Sequence, residues 1–228
     1  LRVPARTIII ATGAAYRKPP IANLSQFEGT GVYYAATFME RQMCRSEEVV
    51  VVGGGNSAGQ AAVFLAQASK RVHMLVRSSG LAETMSRYLI RRIEQNPAIV
   101  LSVNTEIVAL EGHHHLERVS WRDHQSGSTQ IHDIRHVFLM TGAVPNTQWL
   151  VGCVALDADG FIKTGPNLSQ EDLATAHWPL ARAPHLLETC LPGVFAVGDV
   201  RSGNIKRVAS AVGEGSIAVS FVHQTLHE

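Results

Sequence analysis

Cysteine is scarce in this 228-residue sequence: Cys44, Cys153 and Cys190 lie far apart, and no two of them have the C-x-x-C spacing of a redox pair or a metal knuckle. That excludes a disulfide scaffold and predicts three free thiols in a reducing compartment, with the cytoplasm as the default location. Long apolar runs are also missing. None approaches the roughly 20 residues of a membrane span, and no signal-peptide pattern precedes the first strand. Neither sign of charge dominates, with 20 Lys and Arg against 19 Asp and Glu and a net charge of +1. No basic face calls for nucleic acid and no acidic tract calls for disorder. What is there is 46% hydrophobic residues, enough for one large or two ordinary domains with real cores.

β-branched runs mark the buried strands: TIIIA at 7–11, EVVVV at 48–52, VHMLV at 72–76, HVFLM at 136–140 and VFAV at 194–197. Between the second and third, Ala58, Ala61, Ala62, Leu65 and Ala66 repeat on one helical face, so residues 48–76 form a βαβ unit. Residues 83–97 predict a second amphipathic helix, with Met85, Leu89 and Ile93 in line and Pro97 as its stop. Alternation from Thr105 onward predicts a short antiparallel meander, and the sequence after VFAV predicts a C-terminal helix. The strands ending in Thr12-Gly13 and Thr141-Gly142 resemble each other and bracket an inserted domain. The lone first strand must pair with something, either a later strand or a segment not in this sequence. Residues 165–187, with three prolines, read as a long insertion of unassigned role.

VVVVGGGNSAGQAA carries Gly-x-Gly-x-x-Ala as Gly53, Gly55 and Ala58, directly after a strand and at the head of a helix. There the first Gly permits the tight turn, the second admits a pyrophosphate to the backbone, and Ala58 lets helix and strand pack closely. The helix N-terminus, at Asn56 and Ser57, presents unpaired N–H groups to the phosphates. The next strand ends in Val76-Arg77-Ser78-Ser79 instead of the Asp or Glu that would accept from an NAD ribose. This favours NADPH, with Arg77 on the 2′-phosphate, Ser78 as hydroxyl donor and Arg87 as a second cation; Arg91 and Arg92 read as surface charge. A second candidate site is Gly198 and Asp199 after VFAV, where a carboxylate can hold a sugar or ribityl hydroxyl, followed by a helix starting near Arg207.

In order and spacing, ATG at 11–13, GVYYAAT, the GGGNSAGQAA turn, VRSSG, TGAVPNT and PGVFAVGDV followed by RVASAVGEG resemble the thioredoxin reductase-like branch of the pyridine nucleotide-disulfide oxidoreductases. The resemblance covers nearly the whole sequence. It implies an α/β, Rossmann-like three-layer FAD/NAD(P)-binding fold with an NADPH domain at 23–142 inserted between FAD-domain segments at 1–22 and 143–228. It implies hydride transfer from NADPH to FAD, a homodimer when full length, Asp199 on the FAD ribityl chain, and the Ala209 backbone N–H, with Arg207 nearby, at the flavin pyrimidine edge. The family's NADP strand ends in His-Arg-Arg with a further Arg; here Arg77 is kept while Val76, Ser78 and Ala82 depart. Family members begin with a βαβ unit holding the ADP half of FAD. No second glycine turn between a strand and a helix stands here, so the expectation is a fragment lacking about the first third, with only the flavin-ring side of the FAD site.

The family's Cys-Ala-Thr-Cys corresponds here to Ala35-Ala36-Thr37-Phe38, so both redox cysteines are replaced, and Cys44 has no partner at the spacing thiol–disulfide exchange needs. Cys44 reads as a buried small hydrophobe. Tyr33, Tyr34 and Phe38 either cover the flavin in place of the disulfide or form an aromatic core cluster on a helix; the sequence leaves both open. His113, His114 and His115 read as a solvated turn, since consecutive residues cannot all face one ion, and no metal site is expected. Glu214 reads as a cap or ion-pair partner. The expected activity is a flavin-dependent NADPH oxidoreductase passing electrons to an unidentified acceptor. The alternatives are a ferredoxin-NADP reductase on the same scaffold and a non-catalytic NADPH-sensing module.

Overall fold

The computed structural model describes residues 3–227. Its strands in chain order are β1 (Ile8–Ile10), β2 (Ala14–Tyr16), β3 (Val32–Tyr33), β4 (Glu48–Val52), β5 (Arg71–Leu75), β6 (Ile99–Ser102), β7 (Thr105–Glu111), β8 (Arg118–Asp123), β9 (Thr129–His132), β10 (Val137–Leu139), β11 (Ala143–Pro145) and β12 (Val194–Ala196). Its α-helices are α1 (Phe38–Met43), α2 (Asn56–Leu65), α3 (Arg87–Glu94), α4 (Gln170–Thr175) and α5 (Val208–His227). The chain divides into two compact units. Tyr16–Gly142 forms one, and the chain up to Ala15 joins the chain from Ala143 to form the other. The first crossing therefore falls at Tyr16 and not at Asn23, because the Tyr16 ring stacks on Tyr34 at 4.9 Å within the inserted unit.

The inserted unit is built in three layers. Its middle layer is a parallel sheet in the order β3-β10-β4-β5-β6. Period-two alternation sends Val49 and Val51 to one face, with α2 and α3, and Val50 to the other, with the antiparallel meander β7-β8-β9. Each fully buried valine or leucine there contributes about 1.5–3 kcal/mol of apolar burial. The predicted helix 83–97 is shorter than its pattern. Only Arg87–Glu94 is α-helical, and Leu81 and Met85 are buried in the turn before it. Gly59 on α2 explains why: a Cβ there would stand 2.8 Å from Met85 Cε and Sδ, so the bare backbone lets the turn lie against the helix. Strands β3 and β6 carry no clear pattern of their own and are held as the two edges of the sheet.

In the other unit, β1 finds its partner in later sequence, pairing in parallel with β12 from Ile8↔Val194 to Ile10↔Ala196. Ala196 faces a core with Ile10, Leu150 and Ile162, while Phe195 and Val197 face Ala218, Phe221 and Val222 of α5. The insertion 165–187 includes α4, whose N-cap Ser169 and Asp172 form a capping box. Its far end is pinned by Glu188, fully buried, which accepts from Arg182 at 2.7 Å, from the His185 N–H at 2.9 Å and from the Gly193 N–H at 2.8 Å. A buried carboxylate so fully satisfied is structural.

Candidate functional site

In the inserted unit the candidate residues converge at the carboxyl ends of β4, β5 and β10, where open parallel sheets bind ligands. Gly53 has φ +137°, and a Cβ on it would stand 2.4 Å from the Met140 carbonyl oxygen. Only glycine fits, and the contact sets the glycine turn directly beside Thr141 and Gly142. Gly55 is the N-cap of α2, extended at φ −89° and ψ 176°, with no side-chain cap and no acidic residue in the first turn, so the first N–H groups stay open. Ala58 is fully buried against the sheet, while Ser57 is exposed. The Asn56 side chain is already engaged: its Oδ1 accepts from the Ser86 N–H at 2.9 Å, so it is a tie between α2 and α3 and its backbone is what faces the open turn.

Arg77, at the end of the β5 segment, is exposed and makes no hydrogen bond or ion pair among the described residues. Ser78 donates its hydroxyl proton to the Gly80 carbonyl at 2.9 Å, which holds the turn; the donor expected for a 2′-phosphate is therefore spent on the backbone, and Arg77 alone of the two is left open. Thr84, which the motif reading passed over, donates from its hydroxyl to the Gly54 carbonyl at 2.8 Å. An uncapped helix start behind a glycine turn and an unpaired guanidinium fit a dinucleotide phosphate carrying extra negative charge.

In the other unit a second set gathers at the carboxyl ends of β1 and β12. Thr12 and Gly13 are tied to Asn146: its side chain donates to the Thr12 carbonyl at 2.8 Å and its N–H to the Gly13 carbonyl at 3.0 Å. Gly198, at φ +71°, comes within 3.4 Å of Ala211 Cβ at the position its own Cβ would take. Asp199, half-buried, has no hydrogen bond or ion pair among the described residues. Arg207 and Ala209 are exposed where α5 starts. Glu214 fulfils both roles expected of it. It accepts from the Gly198 N–H at 2.7 Å and pairs with Arg201. Burial works to raise its carboxyl, but the bonds from Arg201 and the Gly198 N–H hold it below the usual range. An unpaired half-buried carboxylate next to a helix start fits the sugar-alcohol and ring end of a flavin nucleotide. Among the described residues of this unit, no glycine turn joins a strand to the head of an α-helix.

The family model described as pyridine nucleotide-disulphide oxidoreductase matches residues 1–215 of the chain. The chain belongs to that family. A thioredoxin reductase from Treponema pallidum is 31% identical over 214 residues, covering 94% of this chain and 62% of that protein. One from Mycoplasma pneumoniae is 30% identical over 223 residues, 97% of this chain and 64% of that protein. Among solved structures, the thioredoxin reductase of Streptococcus pyogenes superposes with a TM-score of 0.76 at 27% identity, over 97% of this chain and 65% of that one. The chain thus spans less than two thirds of the length of these relatives. The family's Rossmann-like α/β fold is the one the layers and parallel sheet display.

For a member of a pyridine nucleotide-disulphide family, the thiols are unexpected: Cys44, Cys153 and Cys190 are all free. Cys44 is fully buried, and burial, then Glu47 and Glu40, pushes its thiol up to about 12, so it carries no thiolate at neutral pH. The aromatic residues around Ala35 do not form one cluster on a helix, as the sequence allowed. Tyr33 lies on β3 and packs on Phe138 at 5.4 Å, Tyr34 stacks on Tyr16, and Phe38 opens α1, exposed. The Arg41 guanidinium lies 5.3 Å from the Phe38 ring and 4.6 Å from that of Phe64, docking α1 on α2. The segment stays ordered because Thr37 caps α1 and the Glu40 carboxylate accepts from the Thr37 N–H at 2.8 Å. His113, His114 and His115 are exposed in their turn.

Proposed function

We propose that the chain is part of a flavin-dependent NADPH oxidoreductase of thioredoxin reductase-like architecture that works without a redox-active cysteine pair. When bound, NADPH would supply a hydride and FAD would take it up. The inserted unit would hold NADPH: the open N–H groups at Gly55–Asn56–Ser57 on the pyrophosphate, the bare Gly55 backbone admitting it, and Arg77 on the 2′-phosphate. Asp199 would accept from the ribityl hydroxyls of FAD, and the Ala209 N–H with Arg207 would face the ring edge.

The observation that carries the reading is the pairing of an unoccupied cation, Arg77, with the absence of two cysteines at C-x-x-C spacing. The first selects the nucleotide. The second removes the dithiol relay, since exchange needs an attacking and a resolving thiol within bonding reach. Electrons would then leave to an acceptor other than a protein disulfide, and the full-length protein would be a cytoplasmic homodimer.

The test is NADPH oxidation by the protein that carries this chain, reconstituted with FAD. Ferricyanide should be reduced and thioredoxin should not. Thioredoxin reduction that survives a Cys44→Ser change would overturn the proposal, because Ala35 and Phe38 hold no thiol where the relay is proposed to be missing. A colourless protein that binds NADPH and reduces nothing would replace it with a sensing module.

A further inference from the structure

Eleven residues, 76–86, separate β5 from α3, and composition alone leaves their path open. Four anchors fix it. Leu81 and Met85 are buried, Met85 against the bare backbone of Gly59. The Thr84 hydroxyl donates to Gly54 at 2.8 Å, and the Ser86 N–H donates to Asn56 Oδ1 at 2.9 Å. The two hydrogen bonds end on consecutive parts of the glycine turn and the first residue of α2. The segment is therefore a strap held against the glycine turn and the start of α2, with Arg77 near its start and Arg87 just past its end.

Ser86 is the N-cap of α3, extended at φ −63° and ψ 141°, which makes Arg87 the first helical residue. It lies one residue beyond Ser86, whose N–H is tied to Asn56. Arg87 is exposed and has no hydrogen bond or ion pair among the described residues, and it sits at the helix end where a cation is disfavoured. Glu83 is the one carboxylate of the strap and is exposed.

We propose that Thr84 and the Asn56 side chain are positioning residues that hold Arg87 at the phosphate end of the site, so that the preference for NADPH over NADH depends on a strap that contacts the turn and not the nucleotide. The inference rests on the reading that this unit binds NADPH. Its physical content is pre-organisation: without the Thr84 bond, Ser86 and Arg87 lose their register, and the 2′-phosphate loses a charge-assisted partner.

Calorimetric titration of the chain with NADPH and with NADH tests it. Thr84→Val should weaken NADPH by about fivefold, the worth of one net hydrogen bond, and change NADH much less, with the thermal midpoint kept; Thr84→Ser should restore the preference. Arg87→Ala should lower NADPH affinity to a similar extent, and adding Thr84→Val to it should cost little more. A ratio of affinities unchanged by Thr84→Val, an equal loss for both nucleotides, or full additivity of the two changes would overturn the strap alone. Failure of the unaltered chain to bind either nucleotide would overturn the nucleotide reading and the strap with it.

Discussion

The inserted unit and the unit around it carry their candidate sites at equivalent places, the carboxyl ends of parallel strands, but they differ in how much surrounds the site. In the inserted unit five strands pair in parallel and six of the ten residues of α2 are buried. In the other, β1 and β12 form a two-stranded sheet with one further bridge, Glu188 to Phe195, and of the twenty residues of α5 only Ala218 is buried. Ile8 on β1 and Val208 and Val212 on α5 are exposed at 49%, 82% and 67%. A glycine turn backed by a full sheet is pre-organised, whereas Asp199 and the start of α5 lie beside apolar surface that this chain does not cover. The contrast teaches that a candidate site can be fixed by the sheet and helices behind it in one unit and left with little behind it in the other.

The strongest way to break the comparison is Gly53→Ala. The new Cβ would meet the Met140 carbonyl in a backbone conformation that L residues rarely adopt, costing about 1–3 kcal/mol in strain alone. NADPH binding should be lost and the inserted unit should melt earlier, as followed by calorimetry. Next in size is Arg77→Ala, which should weaken NADPH by roughly ten- to a hundredfold, one charge-assisted hydrogen bond of about 1.5–3 kcal/mol, and leave NADH unchanged in the same titration. FAD added to the isolated chain should bind far more weakly than NADPH, measured by quenching of flavin fluorescence. Equal affinities would erase the difference between the units.

Acid should separate them further. Burial holds His132 and His136 below the usual histidine range, so each is neutral in the fold and takes up a proton more readily when unfolded. Their contribution is present above the unfolded value of about 6.5 and declines as pH falls below it. In the other unit Glu188, Glu214 and Asp172 are held below the ordinary carboxylate range, so their contribution is kept until pH falls through roughly 4. Trp121 reports on the inserted unit, Trp149 and Trp178 on the other. Urea unfolding followed by fluorescence in single-tryptophan variants should show the inserted unit weakening between pH 6.5 and 5 while the other holds. The smallest expected effect is Phe38→Ala, which removes one exposed cation–π contact with Arg41 and should cost about 0.5–1 kcal/mol with no change in nucleotide affinity.

The sequence by itself determined the features that are local. The βαβ unit, the Gly53-Gly55-Ala58 turn, the cation at Arg77 and the missing cysteine pair all lie within short windows, where side-chain period and residue type dictate backbone and chemistry. Burial of Cys44 was legible for the same reason. What only the tertiary structure decided are contacts between residues far apart in the chain. Thr84 and Gly54 are 30 residues apart, as are Ser86 and Asn56, and the three aromatic residues beside Ala35 were parted by Phe138, Tyr16 and Arg41. The shortened α3 belongs here too: its pattern continues to Met85, but the chance to lie flat against Gly59 and bond to the glycine turn outweighs the small propensity gained from another helical turn. Local pattern sets which conformation a segment prefers, and packing against a distant partner decides which of its near-equal alternatives it keeps.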